Sequence, residues 1–93
     1  MSKLLGDKKL GENIRRIRLS CGLTQEQTVA QLQVLGSPIS RSTYSLIEMG
    51  RGNLFVSDLV GLQQIFDVPY DEFFRGISSF RYPKATKQQE QKL

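Results

Sequence analysis

Three side chains in the stretch Ser40–Gly50 (Ser-Arg-Ser-Thr-Tyr-Ser-Leu-Ile-Glu-Met-Gly) could do chemistry together: Arg41, Ser42 and Ser45. Wound at 100° per residue they share one arc with Met49, while Thr43, Tyr44 and Ile47 fall on the arc behind. A guanidinium flanked by hydroxyls can bind an anion through charge-assisted hydrogen bonds. Ser40 is suited to cap this helix, and Gly50 stands where a left-handed residue would end it. Arg41 is the odd member. A helix N-terminus carries partial positive charge, so stability alone would favour Asp or Glu in the first turn. A cation there makes sense if an external anion comes to meet it.

Catalysis finds little support. The chain has no histidine, no glycine-rich phosphate loop and no metal-ligand spacing, and its one cysteine, Cys21, has no base to activate it. The reading is therefore not an enzyme, with no cofactor and no metal. A single cysteine cannot form an intramolecular disulfide, which agrees with a reducing compartment. Placed at the end of a helical pattern, Cys21 reads as a small buried hydrophobe. No apolar run nears membrane-spanning length, and Leu4-Leu5 is too short for a signal-peptide core, so the expected address is cytoplasmic with no membrane contact.

The elements that must position these residues come next. Ninety-three residues, 39% of them hydrophobic, suit one compact domain with a single core. Asp7 is a plausible cap for a first helix to Ser20, with Leu10, Ile14 and Ile17 as its apolar stripe, Arg18 at the stripe's edge and Gly22 as its stop. Thr24 and Gln27 have capping-box spacing for a second helix, whose apolar side continues through Val29, Leu32 and Leu35. Gly36-Ser37-Pro38 breaks it, and Ile39 leads into the helix of Arg41. A fourth helix fits Ser57–Phe66, capped by Ser57, with Leu59, Leu62, Ile65 and Phe66 inward. Pro69 suits the first turn of a short fifth helix to Phe74, with Asp71 and Glu72 where the dipole welcomes them. No strand-length alternation appears. The fold class is all-α: residues 1–77 form the domain, and residues 78–93 a polar basic tail in which 84–93 are frayed while Phe80 and Tyr82 pack back or serve a partner.

Charge is unevenly spread. Through Arg51 the bases exceed the acids by four, from Gly52 to Gly76 Asp58, Asp67, Asp71 and Glu72 leave −3, and from Ile77 the balance is +3. The first half and the tail could face an anion.

The pattern Leu10-Gly11-x-x-Ile14-Arg15-x-Ile17-Arg18, then Gly22-Leu23-Thr24-Gln25-Glu26, then Ser40 to Thr43 through Ile47-Glu48-x-Gly50, resembles the Cro/phage-repressor-type (XRE-like) helix-turn-helix family over residues 10–74. That resemblance implies a five-helix DNA-binding domain with its third helix in the major groove. Arg41, Ser42 and Ser45 would then face base edges, Ser40 would lie near the backbone, and Gln25 would contact a phosphate. Arg51 and Asn53 would meet the backbone or minor groove, and Arg18 with Glu48 would form an ion pair tying the first helix to the third. Arg41 is the best base reader, because a guanidinium can bond guanine O6 and N7 together; a phosphate contact is its alternative. This sequence departs from the family in a longer stretch between Leu32 and Ser40, implying a longer second helix and wider turn. It departs also in Thr28 for the usual Leu, Val29 for the usual Ala, and Tyr44 for a usual Ile or Val.

The expectation is a sequence-specific DNA-binding transcriptional regulator, most simply a repressor, binding double-stranded DNA as a homodimer and reading the major groove with helix 40–50. The rival is a helical protein-interaction module, such as an antitoxin or the partner-binding part of a larger regulator. Phe73 and Phe74 beside acidic residues would be its surface.

Overall fold

The computed structural model describes residues 3–4 and 6–78; the expected packing of Phe80 and Tyr82 and the tail at 84–93 lie outside them. The elements are β1 (Lys3–Leu4), α1 (Lys8–Ser20), α2 (Gln25–Val34), α3 (Arg41–Glu48), β2 (Leu54–Phe55), α4 (Val56–Phe66) and a 3₁₀ helix (Tyr70–Phe74). Each of the first three helices starts on a side-chain cap. Asp7 Oδ1 accepts from Leu10 N at 2.7 Å. Thr24 and Gln27 form a reciprocal capping box. Ser40 Oγ accepts from Thr43 N at 3.1 Å. These caps satisfy N–H groups that have no partner inside the helix.

Ile14, Ile17, Leu32, Tyr44, Leu54, Leu62 and Phe73 form the most deeply buried part of one core. α1 packs on α3 and the 3₁₀ helix, and α2 packs on α3 and α4. Where α1 crosses the end of α3 there is no room for a side chain: a Cβ on Gly11 would collide with the carbonyl oxygens of Ile47 and Glu48. Thr28, fully buried, fits its apolar surroundings because its hydroxyl donates to Thr24 O at 2.9 Å, one turn back.

Several expectations need correcting. The described residues hold four α-helices, and the segment after Pro69 closes as a 3₁₀ helix instead of a fifth α-helix. Five residues are too few for much of an α ladder, and the turn is held from outside: buried Asn13 donates Nδ2 to Phe73 O at 2.9 Å and to Arg75 O at 2.8 Å. Two short strands also form, antiparallel, pairing Lys3 with Phe55 and Leu4 with Leu54. They are too short for any alternation to register. Because β2 runs straight into α4, that helix begins at Val56 behind Phe55 with no side-chain capping bond, not behind Ser57. Leu35, half exposed, is the C-cap of α2 and no part of the core. Cys21 continues the spacing of the Leu10–Ile14–Ile17 stripe, but α1 has ended at Ser20. Its thiol is exposed and points to Phe66 O at 3.6 Å.

Candidate nucleic-acid interface

Everything that bears on the proposed chemistry sits on α3 or against it. Its inner face carries Tyr44, Ile47 and Glu48, all buried. Arg41, Ser42 and Met49 are exposed on the opposite side, with Ser45 half-buried beside them. Thr43, expected on the packing arc, is exposed as well: its hydroxyl accepts from Ser40 Oγ at 3.1 Å in the cap, which keeps it at the helix mouth.

The inner face is anchored by charge. Arg18 reaches from α1 to Glu48 with two parallel contacts, Nε to Oε2 at 2.7 Å and Nη2 to Oε1 at 3.1 Å, and only 8% and 2% of the two side chains is exposed. Its remaining arm donates Nη1 to Leu23 O at 2.8 Å, securing the α1–α2 turn. Gln25 Nε2 donates to Glu48 Oε1 at 3.0 Å, so this amide, expected at a phosphate, is directed at the carboxylate. Burial works against the charge of Glu48, but the Arg18 guanidinium, aided by Gln25, outweighs it and holds the pKa below the ordinary 4.5. The hydrogen bond to Glu48 raises the pKa of Arg18 against its own burial. Tyr44 stands fully buried beside the pair. Its hydroxyl lies close enough to be kept protonated by burial and by Glu48, yet among the described residues it meets no hydrogen-bond partner of good geometry.

The turn that delivers α3 runs from the end of α2 at Val34 to Arg41 and is built from specific bonds. α2 closes on Gly36 at φ +103°, where a residue with a Cβ would be strained, with Gly36 N bonded to Gln33 O and Ser37 N to Leu32 O. Ser37 Oγ then donates to the buried carboxylate of Asp58 on α4 at 2.7 Å and accepts from Ile39 N at 3.2 Å. Gln33 Nε2 donates to Ile39 O at 2.9 Å. The extra residues are therefore pinned to α2 and α4.

At the mouth of α3 the Arg41 side chain is 59% exposed, and its Nη1 lies 3.9 Å from Oε2 of Glu26 in the first turn of α2. Past the other end, Arg51 and Asn53 are exposed on a loop whose Arg51 and Gly52 N–H groups both bond Leu46 O, at 2.9 and 3.1 Å. Gly50, at φ +78°, lets that loop run against the backbone of Lys8. The structure thus gathers Ser40, Arg41, Ser42, Ser45, Arg51 and Asn53 on or beside one helix, and turns Gln25 partly inward. Glu26, absent from the expected set, is the addition. It carried a visible signal as an acid directly after Gln25, in a half of the chain otherwise rich in bases.

Arg16, by contrast, is committed elsewhere, with Nη1 3.5 Å from Glu72 Oε1 and Nη2 bonded to Glu72 O at 3.2 Å. The surface expected for a protein partner changes too. Phe73 is buried and stacks on Phe66 with centroids 6.4 Å apart, leaving Phe74 exposed. Among the described residues no helix is long and apolar enough to cross a membrane.

Comparison with known proteins agrees with this fold. A family model described as a helix-turn-helix domain matches residues 9–73. No curated protein sequence matches the chain. Among solved structures, the chain is similar to the restriction-modification controller protein C.AhdI from Aeromonas hydrophila. The identity is 25%, the TM-score 0.62, and the match covers 72% of this chain and 94% of that one. With family match, fold and arrangement in accord, the chain belongs to the helix-turn-helix domain family of DNA-binding transcription regulators, of the Cro/phage-repressor (XRE-like) type.

Proposed function

We propose that the protein is a sequence-specific repressor that binds an operator as a homodimer and inserts the exposed face of α3 into the major groove. One observation carries this reading. Arg41 presents an open guanidinium at the N-terminus of a helix whose opposite face is locked down by the Arg18–Glu48 pair. A rigid helix with a solvated arginine at its mouth suits direct readout, in which the guanidinium bonds guanine O6 and N7. Ser42 and Ser45 then contact base edges or ordered water, and Ser40, Arg51 and Asn53 contact the backbone. Gln25 bridges Glu48 and the nearest phosphate. Similarity to a restriction-modification controller protein supports a regulatory role.

The test is selection of bound sequences from a random DNA pool, followed by affinity measurements at two salt concentrations. A two-fold symmetric motif, with affinity falling steeply as salt rises, supports a dimeric operator binder. Absence of binding at either salt concentration would instead favour the protein-interaction reading. That alternative draws on the cleft lined by Gln31, Val34, Leu35, Gln64 and Ile65, where Val34 is 86% exposed.

A further inference from the structure

An acid stands where the proposed interface should have none. Glu26 is the only acidic residue in the first turn of α2, and the first turn of α3 has none. Near a helix N-terminus a carboxylate is favourable for the protein by itself. Facing an incoming polyanion it is unfavourable, since it repels phosphates on every sequence alike. Its Oε2 lies 3.9 Å from Arg41 Nη1, with the two side chains 77% and 59% exposed. That contact lies at one nitrogen of the guanidinium, and among the described residues no hydrogen bond is made by its Nε or Nη2.

Resting on the DNA reading above, we propose that Glu26 is a positioning and specificity-determining residue. Its carboxylate, held across the α2–α3 gap from Arg41, orients the guanidinium for a base edge and disfavours encounters made through phosphates alone. Random DNA is bound almost wholly through its backbone, so there the repulsion counts in full. At the right base pair the pre-oriented arginine fork offsets it, because less freedom is lost when the two bonds form. Selectivity of this kind comes from penalising the wrong partner as well as rewarding the right one.

The experiment measures affinity for two probes, a random-sequence duplex and the duplex the unmodified protein selects from a random pool, each at two salt concentrations. Glu26→Gln is expected to tighten binding to the random duplex on the order of threefold to fivefold at low salt, as for one unit charge about 4 Å from another in water. Binding to the selected duplex gains less, so the ratio between probes falls. Glu26→Asp keeps the charge on a shorter arm. It is expected to leave random binding weak and to lose affinity for the selected duplex. In an Arg41→Ala background, Glu26→Gln should no longer change the ratio. An equal shift on both probes, no shift on either, or a ratio that still falls without Arg41 would each overturn the proposal. Failure of the unmodified protein to bind any duplex would overturn the DNA reading beneath it, a result distinct from all of these.

Discussion

Two arginine–glutamate pairs sit at opposite ends of α3, and they behave as different objects. Arg18 and Glu48 meet at 2.7 Å with both side chains almost fully buried, through two parallel bonds. Arg41 and Glu26 meet at 3.9 Å with more than half of each side chain in solvent. In the first pair neither charge can find water if its partner is removed, so the pair fixes how α3 sits on α1. In the second each charge keeps most of its hydration, so the contact is worth little to the fold. One helix is thus held at its buried end and left available at its open end.

The largest expected effect breaks the buried pair. Glu48→Ala strands the Arg18 guanidinium and should destabilise the domain by about 3–5 kcal/mol, read from urea or thermal unfolding. A change near zero would remove the contrast between the two ends of the helix. Arg41→Ala should show the mirror image: unfolding shifts by no more than about 0.5 kcal/mol, while affinity for the selected operator falls by roughly 1–3 kcal/mol and selectivity relaxes at one base pair. Equal loss on operator and random DNA would make Arg41 a phosphate contact. Ser37→Ala tests whether the turn that leads into the open end of α3 is as firm as its bonds suggest. It leaves the buried Asp58 carboxylate without that hydroxyl and should cost about 1–3 kcal/mol of stability. The smallest effect is in acid. The folded-state pKa of Glu48 is lowered, so its contribution is fully present above the ordinary value of 4.5 and is lost as pH falls below that value through the folded one. Stability of the unmodified protein should therefore fall more steeply there than that of Glu48→Gln, as measured by urea midpoints across the acid range.

What could be read from the residues was mostly local. Asp7, Thr24 with Gln27, and Ser40 announce their helices because a cap acts within three residues of itself. Gly22 and Gly50 end two of them for an equally local reason. The Arg18–Glu48 pair spans thirty positions and was visible only through family resemblance. Asn13 holding Phe73 and Arg75, Ser37 meeting Asp58 and Glu26 approaching Arg41 have no periodic signature, since polar pairs between elements depend on how those elements pack. Misassigned residues sat at element ends. Cys21 and Leu35 keep the apolar spacing of α1 and α2 but lie one residue past the ends of those helices, and α4 starts one residue before Ser57.

The two-strand clasp has a consequence for the order of events. Lys3 and Leu4 pair with Phe55 and Leu54, far along the chain, so this ladder closes late, across a separation whose loop entropy must be met first. With only two residues per strand it contributes little by itself. It should therefore be among the first contacts to open in native-state hydrogen exchange, ahead of any α-helix. Each opening would loosen the stretch where a Cβ on Gly6 would come within 2.9 Å of the Gly50 and Gly52 carbonyl oxygens. The loop carrying Arg51 would then gain latitude while the helices stay folded.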